Sequence, residues 1–172
     1  MRKVKKFKLT SEFIVDISGV KLFRIKALIE FGNVKAGDLG GYIEKEENLS
    51  HMGDAWIYGD AQISGNAQVF GDAQVFGNAR VFGNAWVSGD AWIYGDARVS
   101  GDKDYAYAHG FGSCNRTTTF FRLKDGDVGV RCGCFYGTLA QFRDKVCETH
   151  GETKKAQEYL MLADLMEIRF KN

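Results

Sequence analysis

The 172-residue chain contains no proline. Nothing along it forces a kink or deletes a backbone donor, which suits a body made of regular rungs. Neither sign of charge is in excess, since 23 Lys and Arg against 22 Asp and Glu leave +1. Such a balance sets up no long-range field and excludes broad coating of extended nucleic acid, leaving only local basic patches. No apolar run is long enough to cross a bilayer, and none of signal type follows Met1-Arg2-Lys3-Val4-Lys5-Lys6. Membrane insertion is therefore not expected, and the chain reads as cytoplasmic. Cysteine is confined to Cys114, Cys132, Cys134 and Cys147, late in the chain, as expected of reduced thiols rather than a disulfide framework. Histidine is scarce too: His51, His109 and His150.

What the chain has in quantity is a repeat. Six-residue units of the form G-(D/N)-A-x-(V/I)-x run unbroken from Gly53 to Ser100. In each, an aliphatic residue (Ile57, Ile63, Val69, Val75, Val81, Val87, Ile93, Val99) follows two places after an alanine (Ala55 through Ala97). Two-residue spacing puts both on one face of a strand, where a large β-branched residue beside a small one fills a narrow interior. The glycine that follows supplies the corner, and the adjacent Asp or Asn tolerates turn geometry. Short-period repeats of this kind specify a solenoid in which each rung touches only its neighbours.

This spacing resembles the hexapeptide-repeat left-handed β-helix superfamily, in which three six-residue walls make one triangular coil. The hand is implied by the resemblance, not by the periodicity. The stretch from Ile25 to Ala27 and Val34 to Glu44, followed by Asn48-Leu49-Ser50-His51, is similar to the leader of uncharacterised hexapeptide proteins of phages and prophages. Relatives in the superfamily commonly form trimers and bind ligands between subunits. A thin solenoid buries little per residue, which also favours self-association.

Three regions are expected: an N-terminal β cap with a first irregular coil over 1–50, the β-helix over 51–104, and a C-terminal α+β domain over 105–172. Leu49 to Ile57 is two residues longer than one wall, which predicts a bulge near His51. After Gly101 the period fails, and a hairpin (Thr117 to Leu123, Val128 to Cys132) followed by helices over Thr138 to His150 and Lys154 to Ile168 gives a ββαα lid for the open solenoid end. The fold class is mainly β.

With three units per coil, residues eighteen apart stack on one wall. The first wall carries Trp56, Tyr58, Gln74, Phe76, Trp92 and Tyr94, the second Gln62, Ser64, Arg80, Phe82, Arg98 and Ser100, and the third Gln68, Phe70, Trp86 and Ser88. An aromatic surface of this kind needs cover, either a subunit interface or stacked planar ligands. Trp56, Tyr58, Phe76, Trp92 and Tyr94, with Arg80 and Arg98 for phosphates, are the candidate ligand-binding residues. Stacked corner residues Asp54, Asp72 and Asp90 read as turn formers in water. Cys132-Gly133-Cys134 with Cys147 and His150 has zinc-ligand types at a non-standard spacing, and neither a metal nor a cofactor is expected.

Enzymes of the superfamily use a histidine base to transfer acyl groups from coenzyme A. The repeats here contain none, so His109 is the candidate base for that alternative. The favoured expectation is a non-enzymatic homo-oligomer, a trimer by resemblance, that sequesters a small anionic nucleotide-like molecule in intersubunit grooves. From the phage resemblance, that would make it a sponge for a host immune signal. The remaining alternative is a structural assembly protein.

Overall fold

The computed structural model describes residues 4–171. Three longer strands open it: β1 (Phe7–Val15), β2 (Lys21–Ala27) and β3 (Leu39–Ile43). Eight two-residue strands follow, one per six-residue unit: β4 (Trp56–Ile57), β5 (Gln62–Ile63), β6 (Gln68–Val69), β7 (Gln74–Val75), β8 (Arg80–Val81), β9 (Trp86–Val87), β10 (Trp92–Ile93) and β11 (Arg98–Val99). The end domain comprises β12 (Tyr105–Ala108), β13 (Thr118–Arg122), β14 (Val128–Cys132), β15 (Phe135–Thr138), α1 (Leu139–His150) and α2 (Lys154–Arg169).

The eighteen-residue stacking holds. β4, β7 and β10 make the first wall, β5, β8 and β11 the second, and β6 and β9 the third, all parallel and in register. Every repeat alanine and every repeat aliphatic is fully buried, and together they form one continuous core. The corner glycines Gly53 to Gly95 all have positive φ, between +61° and +70°. At Gly77 a side chain would also press on the Gly95 backbone at 3.3 Å, whereas Gly101 is extended and open. Gly77→Ala is therefore expected to cost about 1–2 kcal/mol in urea unfolding, and Gly101→Ala close to nothing.

The two-residue excess lies where the spacing placed it. Ile43 pairs with Ile63 and Leu49 with Val69, twenty positions apart, while Ile57 pairs with Val75, eighteen apart. The extra residues form bends over 51–54, and His51 stacks on Phe7 at 4.3 Å. Its Nδ1 accepts the Lys6 N–H (3.1 Å) and its Nε2 faces Glu46 Oε1 (2.8 Å), so this ring is a structural clasp.

Parallel stacking leaves opposite deficits at the two ends. Each rung donates its N–H groups to the carbonyls of the next, as Trp56 N does to Ala73 O, so the N-terminal end shows bare carbonyls and the C-terminal end bare N–H groups. β3 covers the second wall through Tyr42 N and Glu44 N, which donate to Ala61 O and Ile63 O. On the first wall the Lys6 ammonium takes over, donating to Gly53 O (3.1 Å) and Ala55 O (2.7 Å). On the third, Asn48 Nδ2 donates to Gly65 O (3.2 Å) and Ala67 O (2.8 Å). At the far end the substitutes are acceptors: Asp102 Oδ1 for Trp86 N, Thr119 Oγ1 for Trp92 N, and Asp104 Oδ2 for Ser100 N. Donor side chains close one end and acceptor side chains the other.

The end domain differs from the expected ββαα. Its sheet has four antiparallel strands in the order β12-β13-β14-β15, because Tyr105–Ala108 pairs with β13 and Phe135–Thr138 with β14. Both additions are short, and Gly-rich turns hid them. Both helices start at threonine caps, Thr138 and Thr153, that accept the N–H of the residue three along. Along β13 the side chains alternate: Phe120 enters the core with Phe142 and Tyr159 of the helices, and Phe121 enters the solenoid core with Tyr105. The lid is thus plugged into the solenoid rather than resting on it. No helix among the described residues is long and apolar enough to cross a membrane.

Candidate functional site

The first wall and the solenoid-facing side of the end-domain sheet share one aromatic stack. Tyr58 lies flat on Phe76 (4.4 Å, 6°), Phe76 contacts Trp92 (5.7 Å) and Tyr94 (5.6 Å), and Tyr94 meets Tyr136 of β15 (4.9 Å). Burial raises the pKa of the Tyr58 and Tyr136 phenols, so the ladder stays neutral and offers π faces.

Strand pairing brings a cation onto that ladder. Arg131 of β14 lies opposite Thr119 and Tyr136, on the same sheet face as Phe121. Its guanidinium sits over Tyr94 (5.1 Å) and Trp92 (5.5 Å), and its Nε is buried without a hydrogen-bond partner. Beside it opens a cleft of about 420 Å³ lined by Asp90, Trp92, Arg116, Thr117, Arg131 and Cys134. Arg116 crosses the β14–β15 turn: at Gly133, whose φ is +58°, a Cβ would collide with the Arg116 guanidinium. The neighbouring Cys114 side chain holds the Arg116 pKa above the usual arginine value. Among the described residues, neither Arg116 nor Arg131 is paired with a carboxylate. Two guanidinium groups with no carboxylate in ion-pair range, beside an aromatic floor, can hold an anion and stack a planar group at once.

The structure gathers Tyr58, Phe76, Trp92 and Tyr94 and sets Trp56, Arg80 and Arg98 apart from them. Trp56 is buried to 1% exposure, because the N-terminal segment folds over the first rung and packs Phe31 (5.3 Å) and Phe7 (6.3 Å) against it. It is core, not surface. Arg80 and Arg98 stack in register on the second wall and line a different groove, away from the Trp92 cleft. Arg116 and Arg131 are the arginines that lie beside Trp92. Eighteen-residue stacking says nothing about residues beyond the repeat, so neither was found; Arg131 reaches the ladder through the observed register of β13 and β14, which sets it opposite Thr119.

His109 is exposed, with Nδ1 2.9 Å from the hydroxyl of Thr117, a residue of the cleft wall. The thiol set does not gather. Cys132 ends β14 and faces Thr118 and Tyr159, Cys134 lies exposed in the turn beyond it, and Cys147 is exposed on α1. A tight turn, not a continuous strand, separates Cys132 from Cys134, so the thiols do not share one face. His150 packs against the Tyr159 ring instead (5.7 Å). Among the described residues, no three His, Cys, Asp or Glu side chains converge as a metal site would require.

Comparison with known proteins agrees with the coil geometry. A family model described as the YdcK beta-solenoid repeat matches residues 61–75 and 73–89, within the stacked walls. No curated protein matches the chain. The stacked coils and the repeat match together support a β-helix repeat protein, carrying a capped solenoid and a small end domain with two helices.

Proposed function

We propose that this chain is a non-catalytic binding protein for a small planar anion of nucleotide type, held where the first wall meets the end domain. The observation that carries the reading is Arg131: a guanidinium over Trp92 and Tyr94, unpaired, with a buried Nε that has no acceptor. A bound phosphate or carboxylate would supply the missing acceptor, and a base or similar ring would stack on Trp92, which is 37% exposed. The Trp92 wall of the cleft is fixed by rung hydrogen bonds and by Thr119 Oγ1, so little ordering entropy is lost on that side on binding. Such a preformed site without turnover suits sequestration, the role of a sponge for a nucleotide signal in a phage or prophage setting. Self-association fits the same picture, since Trp86 on the third wall remains 55% exposed.

The test is titration calorimetry of the intact protein with AMP, cyclic AMP and a cyclic dinucleotide, alongside native mass spectrometry of the purified protein for carried ligand. Binding of at least one is expected, with Arg131→Ala weakening it about tenfold or more, in line with the loss of a charge-assisted contact. Unchanged affinity in Arg131→Ala, or no binding across the panel, would refute the reading. One observation favours a second: His109 beside Thr117 places a base at the rim of the same cleft. If coenzyme A binds and His109→Ala abolishes acyl transfer with the fold intact, the chain is instead an acyltransferase.

A further inference from the structure

The second wall carries a separate groove, and its chemistry differs from that of the Trp92 cleft. The β1–β2 turn reaches across to this wall, so that Asp16, Ile17 and Ser18 close a groove of about 300 Å³ over Gln62, Arg80, Phe82 and Arg98. Arg80 and Arg98 are register partners on adjacent strands, which sets their stems about 4.8 Å apart. Neither is paired with a carboxylate among the described residues. Arg98 Nη1 is anchored by the carbonyls of Ala97 (2.9 Å), Asn78 (3.1 Å) and Asp96 (3.4 Å), so the charge cannot swing away into solvent without losing three contacts. Burial, and then Arg80, push the Arg98 pKa below its usual value, the sign of a cation that a counter-ion would relieve.

Hydrogen bonds of its own turn, and behind them the nearby Arg80, lower the Asp16 pKa, but among the described residues Asp16 forms no ion pair with either guanidinium. Its Oδ1 is taken up by its own turn, accepting Ser18 N (2.8 Å), Ser18 Oγ (2.7 Å) and Val20 N (3.0 Å). The wall also holds an unmet acceptor: Gln62 Oε1 is buried and has no donor. A ligand that satisfies the groove must therefore bring negative charge for two guanidinium groups and a hydroxyl for Gln62. Ile17, 90% exposed at the turn, and Phe82 add apolar sides to a groove whose volume suits a small phosphorylated sugar.

We infer that this groove is a second, independent binding site for a small hydroxylated phosphomonoester of sugar-phosphate type, with Arg80 and Arg98 on the phosphoryl oxygens and Gln62 Oε1 accepting from a ligand hydroxyl. Calorimetry and phosphorus NMR of the intact protein, with ribose 5-phosphate, AMP and inorganic sulfate as probes, test it. Ribose 5-phosphate is expected to bind more tightly than sulfate, which brings charge but no hydroxyl. Arg80→Gln is expected to weaken it about tenfold. This variant is the first choice because Arg80 sits on the outer face of its wall. Gln62→Leu is expected to reduce ribose 5-phosphate to the level of sulfate, and Arg131→Ala to leave the Arg80-dependent binding of ribose 5-phosphate in place. AMP binding that survives Arg80→Gln but not Arg131→Ala belongs to the other cleft, so the two sites can fail separately. The inference falls if ribose 5-phosphate does not bind, if Arg80→Gln binds it as well as the parent does, or if Arg131→Ala abolishes it.

Discussion

Phe121→Ala is expected to destabilise the protein by about 3–5 kcal/mol, the usual cost of truncating a fully buried phenylalanine. That is a large share of the roughly 5–15 kcal/mol that holds a typical domain together. The expectation is specific because Phe121 and Phe120 are both fully buried, yet in different cores. Phe121 fills the end of the solenoid with Tyr105, stacks near Tyr136 (6.4 Å), and needs the bare Gly129 opposite, where a Cβ would lie 2.4 Å from its ring. Phe120 packs among the helices, edge-on to Phe142 (6.2 Å). In urea titrations followed by circular dichroism at helix and sheet wavelengths, Phe121→Ala should split the transition, since it removes the plug and leaves each core its remaining contacts. Phe120→Ala should cost as much while lowering the helix signal first. A single coincident transition in Phe121→Ala, at the parent midpoint, would mean that the lid is held by something else.

The repeat was legible to the residue. Strict two-place spacing of alanine and aliphatic, with a glycine corner every six positions, admits one packing, and the stacked walls follow by counting. Even the two-residue excess after Leu49 could be read, because a period makes its own exceptions visible. The site was half legible for the same reason. Tyr58, Phe76, Trp92 and Tyr94 stack because they occupy the same phase of the repeat. Trp56 occupies that phase too, but nothing in it reveals that Phe7 and Phe31 fold across the first rung. Arg80 and Arg98 were read correctly onto the neighbouring wall, but the expectation that they share a groove with the aromatic ladder does not hold within one chain, where that wall lines a groove of its own. Arg131 owes its position to antiparallel pairing in a sheet outside the repeat, where periodicity is silent. The end caps were equally hidden: Lys6 and Asn48 look like ordinary surface residues until the polarity of the rung hydrogen bonds shows which end lacks donors.

That polarity leads to the second large effect. Lys6→Met is expected to cost about 2–4 kcal/mol, because two carbonyls, Gly53 O and Ala55 O, lose their donor in a buried setting at roughly 1–3 kcal/mol each, less a gain from no longer burying an ammonium. The lysine is 1% exposed, with its Nζ 4.6 Å from the centre of the Phe31 ring. Burial brings its pKa from 10.5 down to about 8, against the opposing pull of Asp54 and Asp72. In the unfolded chain the group keeps its ordinary value. Between about pH 8 and 10.5 the unfolded state therefore binds a proton that the folded state has released, and stability contributed by this group rises with pH. The neutral amine still donates to both carbonyls, so deprotonation removes the charge penalty and keeps the cap. Tyrosines set the upper bound, since burial raises the pKa of Tyr58, Tyr105 and Tyr136 and makes unfolding more favourable once the free phenol ionises near pH 10. Unfolding free energies measured from pH 7 to 9.5 should climb in the parent and stay flatter in Lys6→Met, so that the gap between them widens toward pH 9.5. A gap that narrows over that range would show that the ammonium, rather than its hydrogen bonds, closes the N-terminal end of the solenoid.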